Sequence, residues 1–225
     1  MRNVLLLLCL VLLPACTSTA PNTLTPGEKQ DGWITLFDGR STDGWHTYRK
    51  LSATNWKAID GSLVRVAKGG DLLTNARYEN FILDLDWKIP PKGNSGVLYR
   101  ADESDPPTWH VAPEVQILDD FSHPGTDLHA AGACYDLYGP TTDMRKSAGT
   151  WNHFRIVCDG PHITHYFNGT MICDYTIGSA DWNQRIAGSK FKTHPRFASL
   201  RTGEIALQDH DGAVEFRNIK LKPLP

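Results

Sequence analysis

The stretch Phe81-Ile82-Leu83-Asp84-Leu85-Asp86-Trp87-Lys88-Ile89 sets Phe81, Leu83, Leu85, Trp87 and Ile89 at every second position. Asp84, Asp86 and Lys88 fall between them. Strand side chains alternate between two faces, so this spacing predicts a β-strand with one dry face and one wet one. Upstream, Asn55 to Ile59, Asp60-Gly61 and Ser62 to Val66 read as strand, turn and strand, because Asp-Gly supplies the positive φ angles of a type I′ hairpin. Downstream, Gly96 to Arg100 and Glu114 to Leu118 continue the β pattern. Phe154 to Cys158, His162 to Phe167 and Met171 to Tyr175 form a meander with Asn168-Gly169 as its tight turn. Ile205 to Gln208 and Val214 to Leu221 add the last two strands. No segment carries a long helical period, so roughly ten to fourteen short strands predict an all-β, jelly-roll two-sheet sandwich.

The chain has 225 residues, with 23 Lys plus Arg against 25 Asp plus Glu. No basic excess marks a nucleic-acid partner. Its N-terminus reads as a secretory signal, with Arg2 before the apolar run Val4 to Leu13. Leu13-Pro14-Ala15-Cys16 matches a bacterial lipoprotein box, which makes Cys16 the expected lipid acceptor. The expected division is then a signal at 1–15, a Thr/Pro-containing tether at 16–30 and one sandwich domain at 31–225. A lipid-anchored protein of the cell envelope follows, at the outer membrane, since Thr17 and not Asp follows Cys16. Without Cys9 and Cys16, the odd set Cys134, Cys158 and Cys173 allows at most one disulfide and fits no compact zinc spacing, so three buried thiols are expected.

Within a strand, polar residues two apart share a face. Glu114 and Gln116 are such a pair, Gln208 and His210 a second, and Val115, Ile117 and Leu207 fill the alternate, core-facing positions. Asn94, Arg100, Asp119 and Arg217 are further candidates near the ends of strands. His110, His123 and His129 sit in a Pro/Gly-rich excursion from Asp102 to Gly132, and long ordered excursions of that kind are often functional. No GxSxG elbow, HExxH helix, phosphate-binding glycine loop or dinucleotide fingerprint is present, so serine-nucleophile, zincin and nucleotide chemistry fall away.

The strings GGDLLT at 69–74, YENF at 78–81, DWKIPPKGNSGVLYR at 86–100, PEVQILD at 113–119, YDLYGP at 135–140, GTWNHFRI at 149–156 and IALQDHDGAVEFRNIKL at 205–221 occur in this order. Together they resemble the bacterial 3-keto-disaccharide hydrolase domain family across nearly the whole chain after the signal. The resemblance implies a concanavalin A-like sandwich of the lectin and glucanase type, acting on glycosides oxidised to a ketone at carbon 3. It places Asn94, Arg100, Glu114, Gln116, Asp119, Gln208, His210 and Arg217 at the site. A 3-keto group acidifies the proton on carbon 2, so a base, Glu114 or His210, can start an elimination. Arg100 and Gln116 are the expected donors to the enolate oxygen. No cofactor is required on this reading, although a divalent metal held by Glu114, Asp119 and His210 is a lesser alternative. A carbohydrate-binding sandwich without catalysis and a conventional glycosidase are the competing expectations.

Overall fold

A computed structural model describes residues 20–50, 52–122 and 124–225. The expected signal segment, the lipid acceptor Cys16 and His123 lie outside the described residues. Two antiparallel sheets make the body. The larger has β1 (Ile34–Thr35), β3 (Trp56–Ile59), β4 (Ser62–Arg65), β6 (Phe81–Lys88), β9 (Asn152–Asp159), β10 (His162–Phe167), β11 (Thr170–Thr176) and β13 (Glu215–Pro223). Its order is β11-β10-β9-β6-β13-β4-β3, with β1 also on β13. The smaller has β2 (Trp45–Thr47), β5 (Leu72–Thr74), β7 (Asn94–Ala101), β8 (Glu114–Leu118) and β12 (Glu204–Leu207), ordered β2-β5-β12-β7-β8.

The alternation in β6 does what its spacing predicts: Phe81, Leu83, Leu85 and Trp87 are buried. They meet Val97 and Tyr99 of β7, Val115 and Ile117 of β8, and Ile205 and Leu207 of β12 in one core between the sheets. Asp84, expected on the wet face, is buried as well, and Arg155 answers it with two hydrogen bonds of 2.7 Å. Both hairpins close through the expected dipeptides, with positive φ at Asp60 and Gly61 and at Asn168 and Gly169. The jelly-roll sandwich is therefore the fold. Cys134, Cys158 and Cys173 are free and buried, and burial pushes all three thiols up.

Leu73, Leu98 and Ala206, one position out of phase with the core residues of their strands, form a smaller apolar cluster with Ala101, Val111 and Ala112. That cluster lies on the face of the five-stranded sheet turned away from the main core, and the 102–112 excursion covers it. The same face carries the candidate site.

Two further elements depart from the sequence reading. A short helix, α2 (Ala180–Gly188), starts where Ser179 Oγ accepts a hydrogen bond of 3.1 Å from the Trp182 amide. At the N-terminus, the stretch expected to be a tether is docked from Asn22 onward. Asn22 and Asn218 exchange side-chain-to-backbone hydrogen bonds of 2.7 Å each, and Asn22 Nδ2 donates to the Gly61 carbonyl at 2.8 Å. Residues 26–30 then form the one-turn helix α1 (Pro26–Gln30), closed by a capping box between Thr25 and Glu28. Polar side chains that find fixed backbone partners order a stretch that composition alone reads as a linker.

Candidate active site

Pairing between β7 and β8 sets Leu98 opposite Glu114 and Gly96 opposite Gln116. Glu114, Gln116, Gly96 and Asn94 therefore share the outer face, and Gln208, just past β12, joins them by donating its amide N–H to the Gly96 carbonyl at 2.9 Å. Gly96 is required there: a β-carbon at that position would lie 2.1 Å from Glu114 Oε1. The bare backbone lets the carboxyl lie across the strand. Segment 132–135 returns from the excursion to pair with the free edge of β8, with Tyr135 N–H donating to the Glu114 carbonyl at 3.0 Å and Gln116 N–H to the Ala133 carbonyl at 3.1 Å.

A pocket on this face is lined by Asn94, Trp109, Glu114, Gln116, Tyr135, Lys190, Gln208 and His210. Five predicted residues meet there, and Glu114 and His210 share one hollow. Glu114 is buried, and that desolvation pushes its carboxyl up to about 8. The charge of Asp71 adds to the rise; the ammonium of Lys190 and a hydrogen bond from Gln208 oppose it. With Gln208 donating to Glu114, its Oε1 is left buried and without a partner, as is Asn94 Oδ1. Unmatched buried acceptors are unfavourable, and sugar hydroxyls would satisfy both. Gln116 Oε1 accepts from the Ile117 amide at 3.0 Å, which leaves its NH2 as the group to offer a ligand.

His210 sits in a turn fixed from both sides. Asn94 and Asp211 exchange backbone hydrogen bonds of 3.0 and 2.9 Å. The Asp209 carboxylate accepts from the amides of Gly69 and Gly70 at 2.6 and 2.7 Å and pairs with Arg65. The Gly-Gly loop thus holds a protein carboxylate. His210 Nδ1 lies 2.8 Å from Asp211 Oδ2, which orients the ring through that nitrogen.

Three predicted residues are elsewhere. Arg100 has φ of 53°, and the register of β7 with β12 shifts between Glu204 and Ala206. This bulge re-aims its guanidinium away from Gly96 and Asn94, and it donates instead to the carbonyls of Glu79 at 2.8 Å and Gly160 at 2.7 Å. Asp119 lies beyond the end of β8, an odd number of residues from Glu114, and its Oδ2 accepts from the Lys92 amide at 2.9 Å. Arg217 belongs to β13 in the other sheet, where it stacks on Trp151 at 4.0 Å. With Asp119 gone from the pocket, the expected Glu114, Asp119 and His210 metal set is not assembled. Among the described residues, the His and acidic side chains that converge closely enough for an ion are Asp105, His110 and His194.

Sequence reasoning missed Trp109, Tyr135 and Lys190. Lys190 Nζ lies 4.1 Å from the Trp109 ring and 4.2 Å from the Tyr135 ring, so two aromatic faces hold a cation beside Glu114. Burial lowers the Lys190 ammonium, against the pull of Glu114 and Asp136. Tyr135 opens the string YDLYGP, but nothing in the local pattern of Trp109 or Lys190 points to the pocket.

Residues 32–222 match the model of the 3-keto-alpha-glucoside-1,2-lyase-like domain. The 3-keto-disaccharide hydrolase of Bacteroides thetaiotaomicron is 30% identical over 229 residues, covering 86% of this chain and 79% of that protein. Two crystal structures of Parabacteroides distasonis proteins whose names assign them to the glycosyl hydrolases are also similar. One has a TM-score of 0.86 at 31% identity, covering 92% of this chain and 100% of its own. The other has a TM-score of 0.69 at 30% identity, covering 85% and 99%.

Proposed function

Since the chain belongs to the 3-keto-alpha-glucoside-1,2-lyase-like domain family, we propose that the pocket cleaves 3-keto-glycosides by proton abstraction at carbon 2. The observation that carries the reading is a buried, proton-holding Glu114 and an Asp211-oriented His210 on one pocket, beside the Lys190 cation. His210 Nε2 takes the carbon 2 proton, and the C–H electron pair moves toward the ketone to form an enolate. Lys190, with the NH2 of Gln116, stabilises the oxygen where charge develops. The enolate then collapses, the C1–O bond breaks, and Glu114 gives its proton to the departing oxygen. Carbons 1 and 2 are left joined by a double bond, and water adding across it completes net hydrolysis. Lys190 thus takes the part expected of Arg100. Trp109 and Tyr135 offer ring faces to the sugar, and Asn94 and Gln208 offer their free acceptors to its hydroxyls.

A conventional glycosidase needs two carboxyl groups flanking the bond. Glu114 is the one carboxyl lining this pocket among the described residues, which favours elimination. The test is incubation with a 3-keto-disaccharide and its unoxidised parent in heavy water. Cleavage of the ketone form alone, with deuterium entering at carbon 2, is the expected outcome. Cleavage of the parent, or binding of the ketone without turnover, overturns the reading.

We also propose that Cys16 carries a lipid anchor that keeps the protein at the bacterial cell envelope, on the strength of the Leu13-to-Cys16 box. Labelled palmitate should enter the wild type and not Cys16→Ser.

A further inference from the structure

Asp105, His110 and His194 form a second cluster, and the proposed reaction uses none of them. Asp105 lies in the loop after β7, His110 ends a 3-10 turn at Thr108–His110, and His194 caps a second at Lys190–Thr193. All three side chains are half-buried, and each offers one ligand atom within 4.8 Å of the others. His110 Nδ1 and Asp105 Oδ1 are 3.2 Å apart. A tetrahedral ion with bonds of about 2.0–2.1 Å sets its ligand atoms roughly 3.3 Å apart, so that edge is already formed. The rings of His110 and His194 lie 4.1 Å apart at 34° to one another. Trp109 packs against both, at 4.3 and 5.2 Å, which fixes their common wall.

We propose that these three residues bind one divalent transition-metal ion of the zinc class. Two imidazoles and one carboxylate suit borderline ions such as zinc, cobalt and nickel, whereas magnesium and calcium favour oxygen donors throughout. Three protein ligands leave a fourth position for water, and their partial exposure gives the ion a route in. Asp105 and His110 flank the loop that presents Trp109, and His194 closes the turn that begins with Lys190. The ion therefore ties together the two segments whose side chains make the cation-bearing wall of the pocket. This assignment stands on its own geometry and is independent of the reaction proposed above.

The experiment uses untagged protein stripped with a chelator, titrated with zinc chloride by calorimetry and with cobalt chloride by visible absorption. One equivalent of zinc, a cobalt band typical of nitrogen and oxygen ligands, and a zinc-dependent rise in Tm are expected. His194→Ala and Asp105→Asn should each weaken zinc at least tenfold and lose the rise in Tm. His129→Ala, in a separate exposed cluster with Asp127 and Asp136, should leave both unchanged. Circular dichroism of the metal-free variants checks that they fold, and Asp105→Asn keeps the assignment testable should His194→Ala not fold. Absence of binding in the wild type overturns the assignment. So does unchanged affinity in Asp105→Asn, or loss of zinc in His210→Ala, which would move the ion into the pocket.

Discussion

At the scale of single residues, the proposed reaction makes Glu114 bear on both rate and stability. Its carboxyl is raised to about 8 in the fold, against an ordinary value of 4.5. Between those values the native state holds a proton that the unfolded chain has released, so stability is fullest below the ordinary value and falls as pH rises through that window. Glu114→Gln removes the titration. It should be more stable than the wild type above pH 8 by roughly 3–5 kcal/mol, and nearly equal to it at pH 4; urea unfolding at both pH values checks this. The same substitution removes the acid, so kcat on a 3-keto-disaccharide should drop by about 10²–10⁴-fold. As an acid, Glu114 works while protonated, so kcat/KM should fall on the alkaline side near pH 8. Lys190→Met removes the charge that opposes the shift, so the alkaline limb should move to higher pH while kcat falls. A limb that stays in place would show that Lys190 and Glu114 do not sense each other.

At the scale of elements, the same backbone devices decide which residues reach the site. The alternation of β6 and the dipeptides Asp60-Gly61 and Asn168-Gly169 were legible in the sequence, because a period of two and a positive φ leave a mark on residue type. The pair Glu114 with Gln116 was legible for the same reason, whereas Gln208 and His210 reach the pocket from the turn after β12 and not by strand alternation. The bulge at Arg100 was not: Arg rarely marks a left-handed position, and one extra residue re-aims a side chain that simple counting keeps on the site face. Lys190 stayed hidden because it follows a helix of nine residues with a single buried residue, Trp182, too short to show a period. Gly96→Ala tests the element logic directly. Its added methyl meets Glu114 Oε1 at 2.1 Å, so the strand should fold while activity falls by more than tenfold; circular dichroism beside the keto-disaccharide assay reads both. Asn22→Ala should destabilise by about 1–2 kcal/mol, since it exposes the unmet backbone of the left-handed Asn218 in β13, and leave kcat unchanged.

At the scale of the whole molecule, the two outer faces of the sandwich have different tasks. The docked N-terminal segment lies on the outer face of the eight-stranded sheet, beside Asp86, His153, Asn218 and Lys220. The pocket opens on the outer face of the five-stranded sheet. With a lipid on Cys16 and Asn22 held at Asn218 and Gly61, six residue steps remain between membrane and body, about 20 Å at full extension. The fifteen-residue tether read from composition would reach more than twice as far. If Cys16 carries the proposed lipid, so short a leash would keep the eight-stranded sheet toward the membrane and leave the pocket open to substrates arriving from the aqueous side. In liposomes, the acylated protein should therefore cleave a 3-keto-disaccharide coupled to a bulky dextran as fast as soluble Cys16→Ser does. A twenty-residue Gly/Ser insertion after Thr19 should give no gain. Faster turnover of the bulky conjugate with the longer leash would mean that the pocket faces the membrane, and the placement of the two faces would be wrong.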